Sequence, residues 1–309
     1  MCFKKSGPVF RPQYKVTDRI LNNITRSTAA KELISQVHLP PDWIGNFKRE
    51  AILKSAQASA ALEGNPLGFA EVSRLVVDRQ VPAQLRTKQE VLNYVHALET
   101  VDSILRERRI TEERLLRVHY MLTESTLENP AESGVLRQTE VTAESVLPGE
   151  QVFPAPRAKE VPGLVKQLLT WLDSFEAEKL NALIQAGIVQ YEIMRIHPFA
   201  AGNGLVARYL ATVLLYIRNF DTKRLFSVDE YYSSNPSAYF AALNPSDAKN
   251  PDLTPWLEYF TDGVAQAVAA VKERVISLTS EHAPYGFAHI PSEPEPSIEP
   301  APETRAPLT

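Results

Sequence analysis

The chain has 309 residues, 44% of them hydrophobic and 23% charged, which is typical of a folded globular protein. Its formal net charge of -4 excludes a broad positive field that would attract nucleic acid or anionic lipid, so any bound anion must be captured locally. A single cysteine excludes an internal disulfide, and six histidines without cysteine partners show no zinc spacing. No apolar run approaches the roughly 20 residues of a membrane helix, and the N-terminus lacks the apolar run of a signal peptide. We expect a cytoplasmic protein that binds neither nucleic acid nor membrane.

Apolar residues recur every three or four positions from residue 16 to about 280, which predicts a mostly helical fold. Thr17 is the predicted N-cap of the first helix. Thr111 is the predicted N-cap of a later one, whose first turn carries Glu112 and Glu113 where the helix dipole favours acids. These apolar stripes are interpreted as core packing.

Residues 134–156 break this helical pattern, because their valines alternate with Thr, Ser, Pro and Gly. This spacing predicts a short hairpin or flap. Helical spacing resumes over 160–175 and 181–196, and a long closing helix is predicted to begin at Thr254 and Pro255. From about residue 281 the chain is rich in Pro and Glu and has few apolar anchors, which predicts a disordered tail.

Residues 197–208 carry the pattern with the most chemical content, HPFAAGNGLVAR, between two apolar runs. Gly202 and Gly204 allow unusual backbone angles, so successive N–H groups can point into one concavity at a helix start and bind phosphate. Asn203 can add an amide donor, and Arg208 can reach a second phosphate with its planar fork.

His197 lies at the start of this segment, where an imidazole can accept a proton from an incoming hydroxyl near neutral pH. A structural role is the ordinary interpretation of a lone histidine, but here two glycines, Asn203 and Arg208 lie within the same twelve residues. We therefore predict that His197 is functional. The other five histidines keep the structural interpretation: His38, His96, His119, His282 and His289.

The segment HPFAAGNGLVAR resembles the signature of the Fic family, whose usual pattern is H-P-F-x-D/E-G-N-G-R-x-x-R. The segments GVLRQTEV, QVFPAPRAKEVPGLVKQLLTWLD and DLTPWLEYF resemble further parts of the family, so the likeness spans about residues 51–275. It implies an all-α bundle over residues 1–280 with a small β-hairpin flap over the active site. It also implies transfer of AMP from ATP to a protein Ser, Thr or Tyr hydroxyl by His197, with Gly202, Asn203, Gly204 and Arg208 at the phosphates.

A second resemblance lies upstream, in SAALEGNP, which is similar to the family's inhibitory motif S/T-x-x-x-E-G/N. Ser59 and Glu63 are four residues apart and share a helix face, and Gly64 is a natural helix terminator. The resemblance implies that Glu63 pairs with Arg208 and so blocks productive ATP binding. The inhibitory helix is expected at about 41–64 and the catalytic core at about 87–279.

Two positions depart from the family pattern. Ala201 stands where the family has the carboxylate that holds Mg²⁺, and a methyl group cannot bind a hard cation. Leu205 stands where the family has its first phosphate-binding arginine. We expect no metal site in the protein itself, Mg²⁺ entering only with nucleotide phosphates, and reduced activity. Tyr239 and Phe240 resemble the family's tyrosine pair at the base pocket, although a core role is an equal alternative.

Three alternatives therefore stay open at this point: an autoinhibited protein adenylyltransferase of reduced activity, a catalytically impaired nucleotide-binding regulator, and a Fic enzyme that uses another phosphate-containing donor or removes AMP. The target protein is not revealed by the sequence, and a homodimer is left open.

Overall fold

The computed structural model describes residues 10–78, 81–106, 108–141, 155–244 and 251–281. Within these ranges the protein is all-helical, with no β-strand and one isolated β-bridge, between Gln13 and Asp252. No helix in the described ranges is long and apolar enough to cross a membrane. The α-helices are α1 (Asp18–Gln36), α2 (Pro41–Leu62), α3 (Phe69–Asp78), α4 (Leu85–Glu99), α5 (Asp102–Leu105), α6 (Glu112–Thr123), α7 (Val161–Leu172), α8 (Phe175–Glu178), α9 (Ala182–Ile196), α10 (Asn203–Ile217), α11 (Asp229–Ser234), α12 (Pro236–Leu243) and α13 (Thr254–Glu281).

Helices α9 and α10 form the centre of the bundle, and nearly every residue of both is buried. The long helix α13 packs closely on α9 at Gly187, because a β-carbon there would lie 2.8 Å from Leu257. Trp256 fixes the same crossing, since its indole N–H donates to the Gly187 carbonyl at 2.7 Å. Helix α1 packs along α13, and α2 packs on α4 and α11. This arrangement places the α9–α10 connection next to the end of α2.

The predicted helix starts are confirmed at two threonines. Thr17 accepts a hydrogen bond from the Ile20 amide, and Thr111 accepts one from the Arg114 amide. The single helix predicted over 160–175 is wrong in its extent. Helix α7 ends at Leu172, because Ser174 caps the separate short helix α8.

The predicted flap lies mostly outside the described residues, which omit 142–154. Its described flanks, 134–141 and 155–156, contain no strand. Residues 282–309, the predicted disordered tail, also lie outside the described ranges. Helix α2 begins at the first residue of the inhibitory helix predicted at about 41–64 and ends two residues before its end.

Candidate functional site

The connection between α9 and α10 is a tight loop held by its own residues. Helix α9 ends at Ile196, and the left-handed backbone of the next residue, His197 (φ 49°), turns the chain. The Asn203 carboxamide then closes the loop, since its oxygen accepts from the Phe199 amide and its nitrogen donates to the Phe199 carbonyl, both at 2.9 Å. Asn203 is buried and its side chain shapes the loop; one N–H of the carboxamide that was predicted as a phosphate donor is engaged with the Phe199 carbonyl.

A second clamp on this loop comes from His119 of α6, which is fully buried and stacks on Phe199 with ring centroids 3.7 Å apart. Its Nδ1 accepts from the Gly134 amide at 2.8 Å, so Nε2 carries the proton and donates to the Ala201 carbonyl at 3.0 Å. Burial lowers the pKa of His119 to about 4, because the charged ring would lose its solvation. The structural role predicted for this histidine therefore includes fixing the signature loop.

The first turn of α10 presents unpaired backbone amides. The backbone hydrogen bonds of α10 begin with the Val206 amide, which donates to the Gly202 carbonyl at 3.1 Å. Within the described ranges, no hydrogen bond uses the backbone N–H groups of Gly202, Asn203, Gly204 or Leu205. We call these four groups the amide cup. Unpaired amides at a helix start are the donors on which the predicted phosphate site depends.

The two glycines of the cup are needed for different reasons. Gly202 has φ +75°, and a β-carbon there would lie 2.7 Å from Thr123, so both its backbone angle and its close approach to α6 require glycine. Gly204 is helical, and the expectation that it supplies an unusual backbone angle is wrong. A β-carbon on Gly204 would instead collide with the carboxylate Oε1 of Glu63 and lie 2.8 Å from a terminal nitrogen of Arg208.

His197 is half-buried beside this cup. Its Nδ1 lies 3.3 Å from the Met194 carbonyl, a contact that favours the tautomer with the proton on Nδ1. Its Nε2 has no hydrogen-bond partner among the described residues and keeps a free lone pair. Burial lowers the pKa of His197, although its contact with Met194 opposes the shift, so the ring is neutral at pH 7.

The backbone of His197 is held by Arg137, which sequence analysis did not single out. Arg137 Nε donates to the His197 carbonyl at 2.7 Å, and its two terminal nitrogens donate to the carbonyls of Thr139 and Pro156 at 3.1 and 2.6 Å. Its own amide donates to the Pro198 carbonyl at 2.9 Å. The guanidinium is buried and therefore ties the histidine to both described flanks of the 142–154 segment.

Arg208 is 1% exposed, and its guanidinium is hydrogen-bonded to residues at the end of α2. Its Nε donates to the Ser59 hydroxyl at 2.8 Å, and one terminal nitrogen donates to the Ser59 carbonyl at 3.0 Å and to Glu63 Oε1 at 2.7 Å. Burial opposes the charge of Arg208, but the nearby carboxylate of Glu63 keeps its pKa above the ordinary value. Gly64, with φ +87°, turns the chain directly after Glu63. The structure thus brings together Ser59, Glu63 and Arg208.

A second carboxylate near Arg208 comes from α11 and was missed by sequence analysis. Asp229 is 2% exposed, and its Oδ1 lies 3.8 Å from Arg208 Nε. Ser55 donates a hydrogen bond to its other oxygen. Burial raises the pKa of Asp229 to about 6, against the opposing effect of Arg208. Three residues at the end of α2 lie at four-residue intervals on one side of the helix: Ser55, Ser59 and Glu63. The spacing that indicated Ser59 and Glu63 therefore also includes Ser55.

The two positions that depart from the family pattern place no polar side chain in the site. Ala201 is exposed and offers a methyl group, and Leu205 is buried in the hydrophobic core. Among the described residues, no group of three or more His, Cys, Asp or Glu side chains is arranged to hold a metal. Neither Ala201 nor Leu205 supplies an oxygen ligand for Mg²⁺.

Tyr239 is fully buried, and its ring stacks on Tyr232 at 4.7 Å. Its hydroxyl lies 3.5 Å from the Gln190 amide. Phe240 is half-buried and packs edge-on against Tyr239. These contacts give Tyr239 a core position, and Phe240 is the more accessible ring of the pair.

Residues 109–215, which include the connection between α9 and α10, match the family model described as Fic/DOC family. Among curated proteins, the chain is 26% identical over 191 residues to the protein adenylyltransferase Fic of Drosophila grimshawi, and 24% identical over 190 residues to that of Culex quinquefasciatus. Each alignment covers 60% of this chain, but only 37% and 36% of the relatives. The chain therefore matches little more than a third of these relatives' length.

Solved structures extend the similarity over most of the bundle. A Fic family protein from Desulfovibrio desulfuricans G20 is 26% identical and superposes with a TM-score of 0.71, covering 88% of this chain and 78% of that one. Fic-1 from C. elegans, at 19% identity, has a TM-score of 0.68 and covers 85% of this chain and 73% of that one. The second similarity bears on the fold alone.

Proposed function

We propose, from the premise that this chain carries a Fic domain, that it is an autoinhibited protein adenylyltransferase of reduced activity. The supporting observation is the position of the Glu63 carboxylate, which lies over Gly204 at the amide cup while it is bound to Arg208. A carboxylate held at this point places a negative charge beside the cup, where it would repel an incoming phosphate.

In the proposed reaction, His197 Nε2 accepts the proton of a Ser, Thr or Tyr hydroxyl on a target protein. The hydroxyl oxygen attacks the α-phosphorus of ATP, an O–P bond forms to AMP, and pyrophosphate leaves with the electrons of the broken P–O bond. A neutral imidazole with a free Nε2 is suited to this step, and the Met194 carbonyl fixes its tautomer. The amide cup contributes hydrogen-bond donors that are already oriented before ATP binds.

Autoinhibition is proposed to act through Arg208. While Glu63 holds one terminal nitrogen of the guanidinium, that donor is not available to a phosphate. Displacement of Glu63 would leave one N–H of that nitrogen without a partner, whereas the Ser59 hydroxyl and carbonyl would continue to hold the guanidinium.

Reduced activity is proposed from Ala201 and Leu205. Neither side chain can offset the charge that develops during transfer, and the loss of one preorganised contact of this kind costs about 10²- to 10³-fold in rate. We propose that Mg²⁺ enters only with the nucleotide phosphates, since Ala201 supplies no oxygen ligand for it.

Three further parts of the proposal concern organisation. We propose that α2 is the inhibitory helix, that a β-hairpin flap lies within residues 134–156, and that the catalytic core extends to about residue 279. Phe240, the more accessible ring of its pair, is proposed to line the base pocket beside Tyr239.

The test is incubation of the Glu63→Gly variant with ATP, several divalent cations and a lysate, followed by intact-mass and peptide analysis for added AMP. Addition should exceed that of the wild type and disappear when His197→Ala is added. Glu99→Gly is the matched control, because Glu99 also ends a helix but is exposed and belongs to α4. Absence of AMP addition by the Glu63→Gly variant with every cation would refute the proposed activity.

A second candidate function, a nucleotide-binding regulator without turnover, is favoured by the same two positions, Ala201 and Leu205. It predicts that ATP raises the melting temperature of the Glu63→Gly variant with little dependence on Mg²⁺ and leaves no covalent product. Two further assays distinguish the remaining alternatives. Incubation with other diphosphate-linked compounds tests for the use of another donor. Incubation with AMP-modified protein tests for removal of AMP.

A further inference from the structure

A cavity of about 370 Å³ lies between α2, α11 and α13. Its volume falls within the range of roughly 300–1,000 Å³ that is usual for small-molecule sites. The described residues that line it include no member of the amide cup, and His197, Glu63 and Arg208 do not line it either. The cavity is therefore separate from the site proposed to bind a nucleotide.

The buried part of the cavity lining is apolar except for one hydroxyl. The lining residues that are at most 8% exposed are Ala51, Leu225, Phe226, Ser227 and Val275. The Ser227 hydroxyl is buried and has no hydrogen-bond partner among the described residues. Buried polar atoms in folded proteins nearly always have one. The lining thus offers a ligand an apolar surface and one hydroxyl that lacks a partner.

The exposed part of the lining, which we call the mouth, carries charges of both signs. Glu50, Lys54, Glu230 and Arg274 line the cavity, and their side chains are 31–47% exposed. The Lys54 ammonium lies 3.4 Å from a carboxylate oxygen of Glu50 and 3.4 Å from one of Glu230. Arg274 lies 2.9 Å from the other oxygen of Glu50.

Two cations and two carboxylates leave the mouth without a net charge. A ligand that carries one charge would meet attraction from one pair and repulsion from the other. A zwitterion can pair with both signs at once, so the mouth favours a zwitterion over a simple cation or anion.

We propose that this cavity binds a free aromatic α-amino acid with a hydroxyl on its ring, of which tyrosine is the representative. The ligand's carboxylate pairs with Lys54 and Arg274, and its ammonium pairs with Glu50 and Glu230. The ring lies in the apolar part of the cavity, and its hydroxyl bonds to Ser227. Burial of the ring supplies most of the affinity, whereas the charges and the hydroxyl determine which ligand is selected.

The experiment measures the dissociation constants of four compounds for the full chain by ligand-observed NMR. Tyrosine should bind with a Kd on the order of 0.1–1 mM, as expected for a ligand of this size. Phenylalanine lacks the ring hydroxyl and should bind roughly 2- to 10-fold more weakly. Tyramine and hydroxyphenylpropionate each keep the hydroxyl but lack one charge, and each should bind roughly 2- to 5-fold more weakly than tyrosine.

The Ser227→Ala variant tests the role of the hydroxyl. It should abolish the preference for tyrosine over phenylalanine. It should not lower the melting temperature of the ligand-free chain, because the hydroxyl has no partner to lose among the described residues. Ser27→Ala is the matched control, since Ser27 is also buried without a partner there but lies in α1 outside the cavity.

Two further variants test the location of the ligand. Ala267→Trp places a large side chain in the cavity lining and should abolish binding of all four compounds. Arg274→Gln should weaken tyrosine but leave tyramine, which has no carboxylate, nearly unchanged. Because Arg274 is exposed, this variant decides if either of the other two fails to fold.

Three results would overturn the proposal: no saturable binding of tyrosine, equal binding of tyrosine and phenylalanine, or a preference for tyrosine that survives Ser227→Ala. Unchanged binding in Ala267→Trp would overturn it as well, because the ligand would then lie elsewhere. None of these results bears on AMP transfer, which is measured separately and uses none of the residues of this cavity.

Discussion

The carboxylate of Glu63 occupies the space that a β-carbon on Gly204 would need. This relationship joins the end of α2 to the start of α10 more closely than their separation in sequence would indicate. It makes residue 204 a direct probe of the inhibitory contact, because alanine is acceptable in a helix but not beneath that carboxylate.

Gly204→Ala should expel the Glu63 side chain and break its bond to Arg208. We expect a loss of about 1–2 kcal/mol in the free energy of unfolding, measured with urea, because a partly buried charged hydrogen bond is removed. In a Glu63→Ala background the same change should cost much less, giving a non-additive double-mutant cycle. Gly163→Ala in α7 is the control, since a β-carbon there meets no atom within 4 Å. Additive effects of the two changes would contradict the contact.

The buried His119 should make stability depend on pH. Its pKa of about 4 in the folded protein lies below the ordinary value near 6.5, so its contribution is complete above pH 6.5 and is lost as the pH falls toward 4. The free-energy difference between the wild type and His119→Gln should therefore shrink by about 2 kcal/mol from pH 7 to pH 5.

The comparison with the wild type is needed because Asp229, with its pKa raised to about 6, acts in the opposite direction over the same range. His96→Gln, at an exposed position of α4, should leave the wild-type pH dependence unchanged. A pH-independent difference between wild type and His119→Gln would show that the pKa of His119 is the same in the folded and the unfolded protein.

Arg137→Lys should weaken the fixation of His197. An ammonium cannot reproduce the planar fork that reaches three carbonyls, so at least one of these buried acceptors would lose its partner. We expect a cost of about 1–3 kcal/mol in urea unfolding. Arg86→Lys is the matched control at an exposed salt bridge and should cost under about 0.5 kcal/mol. Equal effects of the two variants would mean that the three contacts contribute no net stability.

Ala201→Asp should restore a metal ligand. In a Glu63→Gly background, we expect AMP transfer to rise on the order of 10²-fold and to become dependent on Mg²⁺, since one electrostatic contact is regained. Ala201→Asn keeps the size without the charge and should give little gain. The rate of transfer from ATP, measured by mass spectrometry, distinguishes the two. An equal gain in both variants would contradict metal binding by the new carboxylate.

Periodicity was sufficient to predict a mostly helical fold and the caps at Thr17 and Thr111, since both depend on residues close in sequence. The break between α7 and α8 was missed because Ser174, a cap inside an apolar stripe, does not interrupt helical spacing. Asp229 was missed for a different reason. It lies 21 residues after Arg208, and only the folding of α11 against α2 brings the two together.

Arg137 and Asn203 show the same limit at the site. Asn203 lies in the signature and Arg137 lies 60 residues before it, but the partners of both are mostly main-chain carbonyls and amides, which leave no trace in a sequence. The pairing of Glu63 with Arg208 followed from a family resemblance. Its geometry over Gly204 did not, because it depends on how far α2 extends before Gly64 turns the chain.

The polar face of α2 also determines how fast the site can open. Ser55 and Ser59 remain attached to Asp229 and Arg208 while the opposite face, with Leu53, Ala56 and Ala60, is packed in the core. The helix is thus anchored on both sides, and the partly exposed Glu63 side chain is the group that rotates once its hydrogen bond to Arg208 breaks. Such rotations occur in picoseconds to nanoseconds. We therefore expect nucleotide association to follow the rate of diffusional encounter, with no slower helix movement ahead of it.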